Sequence, residues 1–150
     1  MTFPTVAARA GLAAGAAAIV VAAGISVAAA STGSASATSH TMRFVGAQIQ
    51  DVMAHDKDVA TDKDTTKGET VGYDVTSCAV DIQTHVATCT VAVARAKGIL
   101  YGRAKVNVDT GKGTGTVTGG LGGYKGATGS VTISPGPNQN STKITITYQV

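Results

Sequence analysis

From residue 38 onward the chain is dominated by β-branched residues, which favour strands over helices. This part holds 19 Thr, 14 Val and 6 Ile against only two Leu. β-branched side chains suit a pleated surface, whereas helical cores depend on leucine. Fifteen of the 19 glycines also lie here, and together with proline they separate apolar runs of about eight to twelve residues. No run has a sustained helical periodicity, so the sequence predicts an all-β barrel or sandwich.

Seven runs have the composition expected of strands. The acidic stretch from His55 to Glu69 is predicted to be the one long loop, exposed to solvent because acids and bases alternate along it. It does not match a calcium-binding loop, since Lys67 and Tyr73 stand where glycine and glutamate are needed. The predicted strands are 43–52, 70–81, 86–96, 99–109, 113–119, 128–134 and 143–150.

Residues 1–37 have the order of a secretory signal peptide. Arg9 precedes an uncharged run over 12–30, and Ala-Ser-Ala at 35–37 matches an A-x-A cleavage site. The alternative is a retained membrane anchor, although the run is weakly hydrophobic because it is mostly alanine and glycine. The alanine-rich leader is typical of a bacterium with a GC-rich genome. The sequence therefore predicts a secreted bacterial protein with a single domain over 38–150 and no membrane association after cleavage.

The charge and the chemistry-bearing residues of the mature chain exclude several function classes. Without Arg9, eleven basic side chains remain against nine acidic ones, which is too even for a nucleic-acid partner, whose footprint is a dense basic face. None of the three histidines has a serine beside it in a nucleophile-elbow pattern. The sequence therefore predicts no catalytic residue and no cofactor.

The two cysteines are expected to form a disulfide. Cys78 and Cys89 belong to a chain bound for an oxidising compartment, where disulfides persist. Zinc requires four ligands and only His85 lies nearby, so no metal site is predicted.

A disulfide between neighbouring strands also sets their register. If Cys78 faces Cys89, then Asp74 faces Val93, and a tight turn at Lys97-Gly98 leads into the next strand. Side chains alternate between the two faces of a strand. The inward face then collects Cys78, Val80, Cys89, Val91, Val93, Leu100, Gly102, Ala104, Val106 and Val108. The outward face collects Tyr73, Val75, Ser77, Thr88, Thr90, Ala92, Ala94, Tyr101, Arg103, Lys105 and Asn107.

Asp74 and Arg95 are charged residues on this apolar inward face. They are diagonal neighbours, and a buried charge is costly unless it is paired. One interpretation is a structural ion pair at the barrel mouth. The other is a ligand anchor, in which Arg95 grips a small apolar carboxylate or a phenol, while Gly102, predicted to face Val93, leaves space for the guest. The remaining residues predicted to bind this ligand are Val91 and Leu100.

A glycine-rich segment connects two of the predicted strands. Residues 117–131 contain no Gly-Lys-Ser/Thr, so they are not a phosphate loop; they indicate a tight turn where backbones approach closely. The segment resembles the Gly-Gly-Thr-Gly-x-Phe/Tyr-x-x-Ala-x-Gly signature of the dirigent and allene oxide cyclase barrel superfamily. Leu121 replaces the usual threonine, and Thr128 replaces an arginine common in dirigent proteins. The matching positions are Gly119, Gly120, Gly122, Tyr124, Ala127 and Gly129.

The resemblance implies an antiparallel up-and-down barrel of about eight strands, with a lumen, that often assembles as a homotrimer. Three functions remain open. The protein binds or confines a small apolar molecule without acting on it; or it is a cyclase-like isomerase acting by confinement; or it is a structural or surface protein whose lumen is filled by side chains. The outward residues Tyr73, Val75, Ala92, Ala94 and Tyr101 also favour a homotrimer, because they form a surface more apolar than a monomer needs.

Overall fold

The β-branched runs form eight strands that close into one antiparallel barrel. A computed structural model describes residues 38–150. Each strand pairs with its neighbours in chain order, and the last pairs with the first, so the sheet has no free edge. This confirms the predicted all-β up-and-down barrel, whereas the predicted signal peptide 1–37 lies outside the described residues. The strands are β1 (His40–Ala54), β2 (Lys57–Thr66), β3 (Glu69–Asp81), β4 (Val86–Arg95), β5 (Gly98–Asn107), β6 (Lys112–Gly122), β7 (Thr128–Pro135) and β8 (Ser141–Gln149).

The predicted acidic loop is wrong, because most of it is strand β2. The aspartates of this stretch follow the period of two that a strand requires, so Asp58, Asp62 and Asp64 point into the barrel. Lys57 and Lys63 alternate with them on the exposed side. Alternating acids and bases are typical of a solvated loop, and a strand with an acidic inward face and a basic outward face produces the same pattern.

The disulfide and the register that follows from it are as predicted between β3 and β4. Cys78 and Cys89 are joined, with their Cα atoms 4.0 Å apart. Asp74 faces Val93 across the same pair of strands. The disulfide therefore links two adjacent strands directly across the sheet.

The predicted register between β4 and β5 is wrong by two residues. The turn is made by Ala96 and Lys97, one residue earlier than predicted, because the residue after Lys97 already pairs within β5. Leu100 rather than Gly102 therefore faces Val93. A shift of two positions leaves every side chain on the same face, so the predicted inward and outward faces hold.

One end of the barrel is closed by a hydrophobic cluster. The turn between β6 and β7, which carries the glycine motif, folds over this end and buries Tyr124 and Ala127. A side chain at Gly120 would meet the Tyr124 backbone and Cβ at 2.6 Å, so the close approach expected of this segment depends on glycine there. The cluster comprises Phe44, Val93, Leu100, Val117, Tyr124, Ala127, Ile146 and Tyr148.

Among residues 38–150 no helix is long and apolar enough to cross a membrane.

Candidate ligand-binding lumen

The barrel encloses a cavity of about 590 Å³. It opens at the end opposite the hydrophobic cluster, where the turns that follow β1, β3, β5 and β7 form a mouth. Asp56, Ile82, Val108 and Gln139 belong to these turns and line the mouth. The lumen is therefore not filled by side chains, and its volume falls in the range of small-molecule sites.

The wall formed by β4 to β8 is apolar. The predicted ligand-binding residues Val91, Val93, Leu100 and Gly102 all line the cavity on β4 and β5. Gly102, which has no side chain, widens the lumen at its level. Strands β6, β7 and β8 complete this wall with Val117, Val131, Ile133, Ile144 and Ile146.

The opposite wall, formed by β2 and β3, carries carboxyl groups at several depths. Asp58, Asp62 and Asp74 line the cavity, and Asp64 continues the same row towards the closed end. Asp64 and Asp74 are 0% and 1% exposed. Only Asp74 was identified from the sequence. The other aspartates, at 58, 62 and 64, are separated by even numbers of positions, so on a strand they share one face; this spacing is the signal that could have identified them.

Arg95 pairs with Asp64 and not with Asp74, so the predicted ion pair is wrong in its partner. Its Nη1 donates to Asp64 Oδ2 at 2.5 Å and to the carbonyl of Ala94 at 2.9 Å. The pairing is possible because Gly72, the residue facing Asp64, has no side chain: a Cβ there would collide with Arg95. Glycine at this position gives the long side chain a path across β3.

The ion pair lies at the closed end of the barrel and not at the mouth. The Arg95 guanidinium stacks 4.1 Å from the ring centroid of Phe44, which belongs to the hydrophobic cluster. Arg95 is not among the described residues that line the cavity, whereas Asp74 is. Arg95 therefore belongs to the closed end of the barrel, whereas Asp74 belongs to the cavity wall.

Asp74 is a carboxyl group that keeps its proton at neutral pH. Burial, followed by the negative charges of Asp64 and Asp62 and a hydrogen bond with Asp64, raises the pKa of Asp74 to about 8. Thr76 Oγ1 donates to Asp74 Oδ1 at 3.2 Å. Asp74 Oδ2 and Asp64 Oδ1 have no other partner among the described residues, which suits a proton carried by Asp74 and donated to Asp64.

The carboxyl groups nearer the mouth also repel one another. Burial, a hydrogen bond with Asp51 and the charges of Asp51 and Asp62 raise the pKa of Asp58 to about 6. Burial and the charges of Asp64 and Asp51 raise the pKa of Asp62. Asp58 Oδ1 and Asp62 Oδ1 are buried without a hydrogen-bond partner in the described part of the chain. Near the mouth this wall therefore concentrates negative charge, and no described basic side chain forms an ion pair with Asp58 or Asp62.

Residues 38–150 contain no group of three or more His, Cys, Asp or Glu side chains arranged to hold a metal ion. The carboxyl groups interact in pairs, Asp51 with Asp58 and Asp64 with Asp74.

No protein-family model matches the sequence, and no curated protein matches it either. The fold is similar to that of solved structures. A pyocyanin demethylase superposes with a TM-score of 0.62 at 21% identity, over 73% of this chain and 99% of that one. The Diels Alderase AbmU from Streptomyces koyangensis superposes with a TM-score of 0.55 at 10% identity, over 77% of this chain and 70% of that one. At these identities the likeness shows a shared small β-barrel fold.

Proposed function

We propose that this protein is a secreted barrel that binds a small, mostly apolar molecule in its lumen. The observation that carries the proposal is the cavity of about 590 Å³, open at one end, with an apolar wall facing a few carboxyl groups. Small-molecule sites combine an enclosed apolar lining with a small number of polar groups that orient the guest. The names of the two similar barrels, a demethylase and a Diels Alderase, describe proteins that act on small molecules and agree with this use of the fold.

Secretion rests on the leader and on the disulfide. The signal-peptide pattern of residues 1–37 and the bond between Cys78 and Cys89 are both typical of exported chains. Membership of the dirigent and allene oxide cyclase superfamily remains part of the proposal. It is supported by the glycine motif and by the eight-stranded barrel that the motif implies.

The binding proposal is tested with a neutral hydrophobic probe and a blocked lumen. N-phenyl-1-naphthylamine fluoresces when it leaves water, and we expect the protein to bind it saturably at one site per chain. Val91→Phe should weaken this binding at least tenfold, because Val91 lines the cavity. Val75→Phe is the matched control, since Val75 lies on the adjacent strand but points outward and is 48% exposed.

Both variants are first shown by thermal unfolding to fold. Saturable binding that persists unchanged in Val91→Phe would place the probe outside the lumen and refute the proposal. Absence of saturable binding by the wild type would refute it as well.

A second candidate function is an isomerase that works by confinement, and Asp74 favours it. A carboxyl group that is protonated at neutral pH and faces an apolar cavity is suited to general acid catalysis. In such an isomerisation Asp74 donates a proton to one atom of the substrate while Asp62 accepts a proton from another, so the substrate neither gains nor loses a proton overall. Turnover of an unsaturated epoxide that carries no carboxylate, lost in Asp74→Asn, would distinguish this function from binding alone.

A further inference from the structure

We propose that the lumen selects organic cations: molecules with an apolar body and a positively charged nitrogen that lies against Asp62 and Asp58. The inference rests on the proposed binding function and names its ligand class. It comes from the distribution of charge inside the barrel, which is one-sided.

The interior holds far more acidic than basic groups. Strands β2 and β3 direct Asp58, Asp62, Asp64 and Asp74 inward, and the guanidinium of Arg95 offsets only Asp64. Two basic residues, His55 and Lys57, lie at the mouth, and Lys57 is already paired with Asp56 at 3.6 Å. Arg103 also lines the cavity, but it is exposed and lies on β5, three strands away from β2. No basic side chain of the described residues forms an ion pair with Asp58, Asp62 or Asp74.

Two carboxyl groups of the acidic wall have an oxygen without a hydrogen-bond donor. The Oδ1 atoms of Asp58 and Asp62 are buried without a partner among the described residues. Buried polar atoms are normally paired, and anionic ones are costly to leave unpaired. Asp74 and Asp64 satisfy each other by sharing a proton. Asp58 has a hydrogen bond with Asp51, but no basic side chain of the described residues forms an ion pair with Asp58 or Asp62, so a cationic ligand supplies the counter-charge that they lack.

A cation with an apolar body complements both walls of the cavity, the acidic one and the apolar one. Its charge meets the carboxylates, and its hydrocarbon covers the valines and isoleucines opposite. Asp62 lines the cavity, and its carboxylate packs against Gly46, where a Cβ would come within 2.9 Å of Asp62 Oδ2. The same wall repels a carboxylate. Arg95, expected from the sequence to grip one, is occupied by Asp64 and Phe44.

The test compares three probes of one shape and different charge on the wild-type protein. The full-length chain is expressed, and the product, with its disulfide oxidised, is titrated at pH 7.5 with 1-naphthylmethylammonium, 1-naphthylmethanol and 1-naphthoate. We expect the ammonium to bind at least tenfold more tightly than the alcohol, and the carboxylate to bind more weakly than either. The preference should shrink as salt rises, because the attraction is electrostatic.

Asp62→Asn identifies the groups responsible. Removing this charge should weaken the ammonium at least tenfold and leave the alcohol unchanged. Glu69→Gln is the matched control: it removes one negative charge from an exposed position on β3 and should change neither probe.

The outcomes separate this inference from the proposed function. Equal affinity for the ammonium and the alcohol overturns cation selection while the lumen remains a binding site. Weak or absent ammonium binding overturns it whatever the alcohol does, and the neutral fluorescent probe then decides the binding function independently. Because the probe comparison needs only the wild type, it remains decisive even if Asp62→Asn fails to fold.

Discussion

Asp64 and Asp74 are neighbouring carboxyl groups in the barrel that differ in protonation, and the side chains around each one determine the difference. Asp64 accepts a hydrogen bond from a guanidinium that is itself only 7% exposed, so it serves as a counter-charge. Asp74 has a threonine donor on one oxygen and a carboxylate beside the other. The second environment stabilises the protonated form, which turns Asp74 into a hydrogen-bond donor.

Replacing each aspartate by asparagine should therefore have unequal effects on stability at pH 7. Asp64→Asn leaves the buried Arg95 without its counter-charge and should cost about 3–5 kcal/mol. Asp74→Asn keeps an acceptor for Thr76 and a donor for Asp64, so the cost should be about 1 kcal/mol or less, the scale of one neutral hydrogen bond. Urea unfolding of the two variants measures both values. Equal losses would contradict this assignment of the proton.

The raised pKa of Asp74 also predicts how stability depends on pH. The folded protein holds this proton up to about pH 8, whereas the unfolded chain releases it near the ordinary value of 3.8. Between these values the folded state binds more protons, so the free energy of unfolding falls as pH rises from about 4 to about 8. Asp58 and Asp62, whose pKa values are raised too, act in the same direction.

Melting temperatures at pH 5 and pH 8 compare the wild type with Asp74→Asn. The wild type should lose more stability over this interval than the variant, and groups common to both proteins cancel in the difference. Parallel pH dependences for the two proteins would show that Asp74 does not carry the proton.

At the scale of strands, β2 shows what sequence patterns can and cannot reveal. β4 and β5 were predicted well because their inward residues are valine and leucine, which alternation of hydrophobic and polar residues detects. β2 alternates too, but between aspartate and lysine, so both faces look polar. Such a strand can be distinguished from a loop only when it is known that the barrel interior carries charged side chains. The acidic half of the candidate site could not be predicted for this reason.

The hairpin of β3 and β4 was predictable because one covalent constraint fixed it. Pairing Cys78 with Cys89 placed Val91, Val93 and Asp74 on the inward face, and all three line the cavity. The partner of Arg95 was not predictable in the same way, because the Arg95–Asp64 contact crosses a strand at Gly72. Such a contact depends on side-chain reach and not on register.

Removing the disulfide should weaken the hairpin without changing the fold. The two cysteines are 11 positions apart, and a bond that closes a loop of this length in the unfolded chain contributes about 2–3 kcal/mol of stability. The double variant Cys78→Ala/Cys89→Ala should lose this contribution. Thermal unfolding measures the loss. Thiol titration of the unfolded, unreduced wild type should find no free thiol, and two free thiols would contradict both the bond and its contribution.

At the scale of the whole molecule, the barrel has a distinct outer surface beside its lumen. The outward side chains of β3 to β6 form an apolar patch near the closed end, in which Tyr73 pairs with Ala94 and Ala92 pairs with Tyr101. Leu121 extends it onto β6. Tyr73, Val75 and Leu121 are 49%, 48% and 53% exposed. Adjoining apolar side chains of this kind on a closed barrel favour contact with another protein surface.

We expect this patch to join copies of the chain, as the predicted homotrimer requires, and Tyr73→Lys should separate them. A lysine at the centre of an apolar interface introduces a charge that loses its water on assembly. Light scattering at micromolar concentration should give a mass of several chains for the wild type and of one chain for Tyr73→Lys.

Thr132→Lys is the matched control, because Thr132 is exposed on β7, four strands away around the barrel, and it should keep the wild-type mass. A single-chain mass for the wild type rules out assembly; an assembly that persists in Tyr73→Lys but is lost in Thr132→Lys would move the interface to the opposite side of the barrel.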